Sequence, residues 1–439
     1  MTSRPEPCPA RATAATLSVA LLAWLQLLAA DAQAARDYAV IGDSLSQNYS
    51  DWFPAYYPEH PESWDTRNWS ELLDDERGGE FQMVSYDNNV AVPGWTAAQW
   101  ADLLDDDDWW DPLGWRRDLL NRALDDAERA IVWVGGNDAD AAYGGIYDGG
   151  DDAAITETLD ADIKSLVEYV LARRPGIPVV LVAVPHVGIA PEVQSAHPTD
   201  PVKTARVTRA LDELNDSLRD FAAARGVGFA DIYSGTRILL EDQPYYLGGR
   251  EFLKAASDDA EPRYLFTGDG FHPGEAAHAV FANRILEAIN AAAGDDLALF
   301  TQRELLDDVL EIGFVDHFAQ WSDGHGLPAP TPFSDSDGDS VADLVEFAFL
   351  LDPTVADAWR LPAAGFSADA NALALEWSPN PSTFGQIAIR LEESDTLGDW
   401  KPVPPDAWTQ AGDSFSVLRP LTAGRQFLRF VVSETKSAF

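Results

Sequence analysis

The sequence predicts an α/β fold with a parallel β-sheet for residues 36–294, followed by a small all-β module at residues 360–439. In the first region, short apolar runs typical of buried strands alternate with longer helix-like stretches. That alternation favours βαβ units and a parallel sheet. After Gly294, short apolar runs are instead separated by Pro, Gly and Asp, a pattern typical of an all-β module.

Five strand-like runs are expected in the first region: Tyr38–Ile41, Phe81–Tyr86, Ala130–Val134, Val179–Val184 and Val227–Ile232. Helix-like stretches lie among and after them, at Thr96–Leu104, Trp115–Ala127, Ile155–Arg173, Val202–Ala224 and Gly274–Ala293. In a parallel α/β sheet, ligands bind just beyond the carboxyl ends of the strands. Residues that directly follow the strands are therefore the first candidates for a functional site.

Residues 1–34 are expected to be a secretory signal peptide. Two arginines precede an apolar stretch from Ala12 to Ala30, and the small residues Ala32 and Ala34 provide a cleavage site. An uncleaved membrane anchor is the alternative, although the stretch is marginal in length for a membrane span. The sequence therefore predicts export to the extracellular space or the periplasm.

The 439-residue chain carries a formal net charge of −43. This charge argues against nucleic acids and anionic lipid surfaces as partners, because both require a basic surface. The single cysteine, Cys8, lies within the predicted signal peptide, so the exported chain would have no disulfide bond and no thiol chemistry. No later segment is expected to be an integral membrane span.

Three loops that follow apolar runs contain groups suited to nucleophilic catalysis. Gly42-Asp43-Ser44 ends the first predicted strand, and a serine becomes an effective nucleophile when a base activates it. Gly94 ends another apolar run, and its backbone N–H could meet a developing oxyanion. Asn137 follows a third run and offers a neutral amide donor. Each loop taken alone is a weak signal, and an ordinary turn is the alternative.

A fourth segment, Gly268–Gly274, places Asp269 three residues before His272. A carboxylate at this spacing can accept a hydrogen bond from Nδ1 of the histidine and leave Nε2 facing a nucleophile. The other histidines lack an acid at this spacing, and His278 is expected on the surface of the last helix. Isolated Asp-x-x-His pairs are common, so the four segments carry weight only as a set.

The set formed by Ser44, Gly94, Asn137 and the Asp269–His272 pair resembles the SGNH/GDSL hydrolase superfamily over residues 37–293. The resemblance implies a flavodoxin-like three-layer α/β/α domain and a serine esterase or lipase. It also implies that Ser44 is the nucleophile, His272 the general base and acid, and Asp269 the orienting carboxylate. The Ser44 N–H, the Gly94 N–H and the Asn137 amide would form the oxyanion hole, and no catalytic cofactor is expected.

The substrate is less well defined by the sequence. Ser46-Gln47 replaces the aspartate that follows the Ser-Leu pair in many secreted lipase-like relatives, which leaves the subfamily open. Tryptophans such as Trp52, Trp69 and Trp95 follow the Ser44 or Gly94 segments, and aromatic faces suit sugar rings, although they also pack cores. No long apolar stretch resembles a lipase lid.

These observations predict short-chain acyl esters, for example acetyl esters, carried by a small molecule or a polysaccharide. Two alternatives remain open. The first is a lipid-type esterase or lysophospholipase. The second is a calcium-dependent surface-binding protein with an idle hydrolase domain.

The connector at residues 295–359 contains an acidic loop at residues 335–346. Gly338 stands at its fourth position, as in the dockerin-like and thrombospondin type 3-like calcium loops that the segment resembles. The spacing of oxygen-bearing groups predicts structural Ca²⁺ ahead of a helix at Val341–Leu351, with an ion-free acidic linker as the alternative. The candidate ligands are Asp335, Asp337, Asp339, the Val341 carbonyl, Asp343 and Glu346.

Residues 360–439 carry no motif that indicates a function. Exported hydrolases often use such a module to attach to a cell surface or a polysaccharide, and that role is expected here by analogy only. A module that merely supports folding or secretion is an equal alternative.

Overall fold

A computed structural model describes residues 36–104, 114–240, 244–257, 262–327, 331–367, 371–383, 385–404, 407–411, 414–420 and 426–435. The predicted signal peptide, including Cys8, lies outside the described residues. Within the described part of the chain, no helix has the length and apolar character needed to cross a membrane.

The first region contains a five-stranded parallel sheet, as predicted. Its strands are β1 (Arg36–Gly42), β2 (Phe81–Gln82), β3 (Arg129–Trp133), β4 (Val179–Val182) and β5 (Gly228–Ala230). Their spatial order is β2-β1-β3-β4-β5, and every neighbouring pair is parallel. This is the flavodoxin-like order, in which ligands bind where the strand order reverses, beside β1 and β3.

The second strand is shorter than the predicted run Phe81–Tyr86. The Asn88 side chain accepts a hydrogen bond from the Val84 N–H and donates one to the Gln82 carbonyl. These local bonds turn the chain away from the sheet, because an asparagine side chain can replace the backbone pairing of a strand.

Ten helices accompany this sheet in the described residues. They are α1 (Tyr49–Tyr56), α2 (Trp69–Glu76), α3 (Ala97–Leu103), α4 (Trp115–Asp126), α5 (Gly136–Tyr147), α6 (Asp160–Arg173), α7 (Pro191–Ala196), α8 (Pro201–Arg225), α9 (Tyr233–Ile238) and α10 (Glu275–Ala293). A π-helical turn at Ala154–Leu159 precedes α6. The five helices that the sequence predicts are confirmed as α3, α4, α6, α8 and α10.

The sheet is covered on both faces. Consecutive residues Tyr38–Ile41 and Ile131–Trp133 are fully buried, which requires helices on both sides because neighbouring strand residues face opposite ways. Helices α3, α4 and α8 each pack against α6, while α10 packs against α2 and the strands β4 and β5. The mixed α/β fold class is therefore confirmed.

A second small sheet, absent from the prediction, leads toward the Asp269–His272 loop. It consists of β6 (Tyr245–Leu247), β7 (Arg250–Ala256) and β8 (Tyr264–Phe266). The loop follows β8 directly, and the Thr267 N–H donates to the His272 carbonyl at 2.8 Å. The sheet thus fixes the start of the loop, and α10 fixes its end.

The C-terminal part forms separate antiparallel sheets, as predicted. The strands are β9 (Gly365–Ser367), β10 (Ala372–Trp377), β11 (Ile387–Ser394), β12 (Lys401–Pro402), β13 (Trp408–Ala411), β14 (Ser414–Pro420) and β15 (Phe427–Glu434). One sheet has the order β13-β14-β10-β9 and the other β12-β11-β15. Short helices precede them: α11 (Gln302–Glu304), α12 (His317–Gly324) and α13 (Asp343–Phe349).

The two largest hydrophobic cores among the described residues lie one in each part of the chain. The larger core extends from Tyr38 to Leu310, and the smaller one contains residues from Val341 to Val417. The buried Gln386 side chain joins the β module to the connector, since it accepts from the His317 N–H and donates to the Val315 carbonyl. The exact domain boundaries stay a prediction.

Candidate active site

The turn after β1 presents Ser44 at the carboxyl edge of the sheet. The N–H groups of Ser46 and Gln47 both donate to the Asp43 carbonyl, and the Leu45 N–H donates to Asp43 Oδ1 at 3.0 Å. These bonds form a tight turn in which the backbone reverses directly after the strand. Ser44 is 4% exposed, so its hydroxyl lies in a largely dehydrated environment.

The structure brings Ser44 together with both residues of the predicted Asp269–His272 pair. His272 Nε2 lies 3.0 Å from Ser44 Oγ, and His272 Nδ1 lies 2.5 Å from Asp269 Oδ2. An ionised carboxylate only accepts hydrogen bonds, so Nδ1 carries the proton and Nε2 is free to accept from the serine hydroxyl. This is the geometry of a nucleophile paired with an oriented base.

Asp269 is held in its ionised form by its own loop. Its Oδ1 atom accepts from the N–H groups of Phe271 and His272 and from the Thr267 hydroxyl. Burial favours a higher pKa for Asp269, but the hydrogen bond and charge of His272, together with the backbone donors, lower the pKa below its usual value. Gly270 adopts a φ of +74°, which lets the loop turn back on itself.

The Gly94 and Asn137 loops both adjoin the Ser44 loop. The Val92 N–H donates to the Gly42 carbonyl at 3.0 Å, and the Asn137 side-chain amide donates to the Trp95 carbonyl at 2.9 Å. Neither the Ser44 N–H nor the Gly94 N–H donates to any other residue that the structure describes. The three predicted donors therefore belong to loops that are linked to one another by hydrogen bonds.

Asp138, a residue to which the sequence assigned no role, connects two of these loops. Its Oδ2 atom accepts from the N–H of Ala97, the first residue of α3, at 2.8 Å. An acidic group is stabilised at a helix N-terminus, where free N–H groups and the helix dipole meet. Burial nevertheless raises the pKa of Asp138. The Thr96-x-x-Gln99 capping pattern at the start of α3 was the available sequence signal.

An aromatic group surrounds His272. The rings of Tyr49, Trp52, Phe53 and Tyr57 have centroids 6.0, 5.2, 5.9 and 5.7 Å from the imidazole centroid. All four belong to α1 or to the residue that follows it. Such packing restricts rotation of the imidazole and keeps Nε2 directed at Ser44.

The tryptophans do not all remain available to a sugar. Trp52 is 5% exposed and Trp69 is fully buried, so both pack the interior. Trp95 is partly exposed, and the Arg116 guanidinium lies over its ring at 4.8 Å. Core packing is therefore the better explanation for Trp52 and Trp69.

The prediction that His278 lies on a helix surface was wrong. His278 is fully buried, and its Nε2 lies 2.9 Å from the Tyr49 hydroxyl. Burial lowers its pKa to about 3, so the ring is neutral. The periodicity of α10 alone did not reveal this, because α1 covers that face of the helix through a contact between residues far apart in sequence.

A small apolar cavity adjoins Ser44. Its volume is about 40 Å³, and its apolar lining includes Leu45, Ile189, Phe271 and Phe281. A neighbouring cavity of about 30 Å³ shares Ile189 and Phe281 with it. One water needs roughly 10–15 Å³ by the same measure, so the cavity beside Ser44 has room for a group of only a few heavy atoms.

Carboxylates also cluster in and near the acidic loop. Oxygen atoms of Asp335, Asp337 and Asp339 lie within 4.8 Å of one another, and so do those of Asp339, Glu346 and Asp357. Glu346 is fully buried, and neither of its carboxylate oxygens has a hydrogen-bond partner within the described ranges. Burial, reinforced by the neighbouring acidic charges, raises its pKa to about 8.

Asp343 differs from the other predicted calcium ligands. Its two carboxylate oxygens accept from the N–H and the hydroxyl of Ser336, at 2.9 and 2.8 Å. The helix predicted at Val341–Leu351 is α13, which begins within the loop at Asp343 and ends at Phe349.

The chain is similar to one known protein family and to several solved structures. Residues 40–280 match the model of the GDSL-like Lipase/Acylhydrolase family. The chain resembles the solved structure of an extracellular lipase from Streptomyces rimosus with 19% identity and a TM-score of 0.35, covering 58% of this chain and 100% of that chain. It resembles a phospholipase A1 from Streptomyces albidoflavus with 17% identity and a TM-score of 0.36, with the same coverage of 58% and 100%.

A search of the curated proteins finds no match. The family match nevertheless spans more than half of the chain, including Ser44, Gly94, Asn137 and His272. The chain therefore belongs to the GDSL-like lipase/acylhydrolase family and is an ester-bond hydrolase.

Proposed function

We propose that the protein hydrolyses carboxylic esters through an acyl-enzyme on Ser44. The Ser44 hydroxyl adds to the ester carbonyl carbon while His272 Nε2 takes the hydroxyl proton. His272 then gives this proton to the departing alcohol oxygen as the ester C–O bond breaks. Water attacks the acyl-enzyme in the same way, and the acid is released. The 3.0 Å contact between Ser44 Oγ and His272 Nε2 is the observation that carries this proposal.

Asp269 and the oxyanion donors complete the proposed mechanism. Asp269 stabilises the imidazolium that forms when His272 takes the proton, since its lowered pKa keeps it ionised. The N–H groups of Ser44 and Gly94 and the Asn137 amide would stabilise the negative charge on the carbonyl oxygen. Because one amide hydrogen of Asn137 is already bound to the Trp95 carbonyl, the amide plane is fixed before the substrate arrives.

We propose short-chain acyl esters, such as acetyl esters, as the substrates. The apolar cavity of about 40 Å³ next to Ser44 supports this proposal, since a long acyl chain needs more room. A carbohydrate as the alcohol part is supported only by Trp95, a partly exposed aromatic residue beside Gly94. Phospholipid is the alternative substrate.

Two further parts of the proposal concern location and metal binding. Export after cleavage within residues 1–34 follows from the apolar stretch and the small residues at its end. Structural Ca²⁺ bound by the 335–346 loop is supported by the unpartnered, buried Glu346 carboxylate, since buried charges in proteins are paired or coordinate a metal. Attachment through residues 360–439 stays a prediction.

The experiment compares hydrolysis of acetyl, octanoyl and palmitoyl esters by the unchanged protein and by Ser44→Ala. We expect the substitution to lower kcat by at least about four orders of magnitude, because the other residues cannot replace the nucleophile. Ser46→Ala is the matched control, since it also removes a buried hydroxyl from this turn. The Ser46 hydroxyl has no hydrogen-bond partner among the described residues. That variant should remain active.

The chain-length profile tests the substrate proposal separately. We expect the highest kcat/KM on the acetyl ester and a decline toward palmitoyl, because the cavity beside Ser44 is small. Equal or faster hydrolysis of the palmitoyl ester would refute the short-chain proposal and favour a lipid. Full activity of Ser44→Ala would refute the assignment of the nucleophile, and an unchanged protein inactive on all three esters would favour an idle domain.

A further inference from the structure

Asp357 lies outside the acidic loop, yet the fold brings it to the loop. It is 4% exposed. One of its carboxylate oxygens lies within 4.8 Å of carboxylate oxygens of Asp339 and Glu346. The backbone contributes to this arrangement, because the Ala358 N–H donates to Asp339 Oδ2 at 2.7 Å. The segment that leads into the β module is thereby held against the loop.

Several carboxylate oxygens in this place lack a hydrogen bond. Both oxygens of Glu346, Asp337 Oδ2 and Asp357 Oδ1 have no partner within the part of the chain that the structure describes. The second Asp357 oxygen accepts from Arg360 at 2.8 Å, but the Arg360 side chain is half exposed and supplies a single positive charge. Buried ionised carboxylates without partners are strongly unfavourable unless a cation or a proton neutralises them.

The donor set determines which cation fits. Only oxygen atoms converge here, and Ca²⁺ prefers six to eight oxygen ligands in a flexible arrangement, including carboxylates and backbone carbonyls. Softer metals favour sulfur or imidazole, and the two groups of clustered ligands contain only aspartate and glutamate. The chemistry of the site therefore fits calcium.

We infer that Asp357 is a ligand of the calcium ion proposed for the loop, so that one ion joins the loop to the segment that leads into the β module. This inference rests on the proposed calcium site and adds a ligand that the loop spacing does not contain. Asp357 takes the place that the spacing assigned to Asp343, whose oxygens are already bonded to Ser336. Asp343 then shapes the loop, and Asp357 closes the site.

The test measures Ca²⁺ binding by titration calorimetry on purified, chelator-treated protein. Asp357→Asn keeps the shape of the side chain and its acceptor for Arg360 but removes the charge. We expect it to weaken Ca²⁺ binding at least about tenfold, because affinity depends on the number of charged ligands. Asp352→Asn is the matched control, since it removes one charge from the same segment outside the cluster, and it should bind as the unchanged protein does.

A second measurement does not depend on a variant. Amide hydrogen exchange of the unchanged protein with and without Ca²⁺ should show protection in residues 352–361 as well as in the loop. If Ca²⁺ protects the loop alone, or if Asp357→Asn binds as tightly as the unchanged protein while Glu346→Gln does not, the inference is overturned and a loop-only site remains. If the unchanged protein binds no Ca²⁺, the proposed calcium site itself fails.

Discussion

At the scale of single residues, the site is defined by groups whose orientations are fixed in advance. The Asn137 amide is bound to Trp95, Asp269 accepts three hydrogen bonds through one oxygen, and aromatic rings surround His272. Groups that are already oriented need no rearrangement when charge develops, which is the main source of electrostatic stabilisation in enzymes.

Replacement of Asn137 by alanine tests how much one oriented oxyanion donor contributes to catalysis. We expect kcat on an acetyl ester to fall by about two to three orders of magnitude, the loss typical of one oxyanion donor. The melting temperature should change little, because the side chain makes a single hydrogen bond to the described residues, at the surface of the site. Asn121→Ala on α4 is the control and should keep its activity. An Asn137→Ala variant with unchanged kcat would contradict the oxyanion assignment.

Asp43 provides a pH prediction at the same scale. Burial raises its pKa to about 7, well above the value of about 3.9 in an unfolded chain. Between these values the folded state holds a proton that the unfolded state has released, so this group lowers the stability as the pH rises from about 4 to 7. Asp43→Asn should remove that loss.

The melting temperatures of the unchanged protein and of Asp43→Asn should be compared at pH 5 and pH 8. At the higher pH we expect the melting temperature of the variant to rise relative to that of the unchanged protein. The asparagine oxygen can still accept the hydrogen bond from the Leu45 N–H. A difference that stays constant between the two pH values would show that Asp43 is not protonated in the folded state.

At the scale of elements, the turn between β3 and α5 determines where Asn137 lies. Gly135 has a φ of +109°, and a Cβ atom there would lie 2.9 Å from Val184 Cγ2. A side chain at this position therefore combines backbone strain with overpacking. The turn tolerates only glycine, and Asn137 follows it by two residues.

We expect Gly135→Ala to lower the free energy of unfolding by about 2–4 kcal/mol. The alanine would be strained in a left-handed backbone conformation, and its Cβ would overpack the core. Ester hydrolysis should also decrease because Asn137 moves. Gly145→Ala in α5, the helix that follows this turn, is the control, since its Cβ would meet no atom within 4 Å, and it should stabilise the protein by roughly 0.5–1 kcal/mol. Denaturant unfolding measures both, and equal stabilities of the two variants would contradict the argument.

Helix α5 also shows where prediction from the sequence ends. The strands were predictable because β1, β3 and β4 are continuous apolar runs, which reflect burial on both faces. Helix α5 was not predictable, because Gly144 and Gly145 lower its helical propensity. The structure explains Gly144 by a contact between distant residues, since a Cβ there would lie 2.8 Å from the His197 ring.

Some functional residues were likewise predictable from the sequence, and others were not. Ser44, Asp269 and His272 were predictable because the chemistry requires these residue types beside turns, and two of them lie three residues apart. The Tyr49–His278 contact and the position of Asp357 were not, because each depends on packing between segments far apart in sequence. Local patterns indicate local geometry, and only the folded chain reveals the rest.

At the scale of the whole molecule, two cores of different size are joined by a few polar contacts. Gln386 contacts the connector at the start of α12, and the Gln302 side chain donates to the Gly385 carbonyl at 3.1 Å. Interfaces of this polar kind are less strongly coupled than a shared apolar core. A cation at Asp357 and the acidic loop would add a linkage at the entrance of the β module.

The contact between Ser44 and His272 has a consequence for folding. It joins residues 228 positions apart, at the beginning and near the end of the α/β domain. A partly folded chain in which the Asp269–His272 loop has not docked has the nucleophile but no base beside it. Ester hydrolysis therefore reports that this loop has reached Ser44, and the rate at which activity appears during refolding measures how fast these distant segments meet.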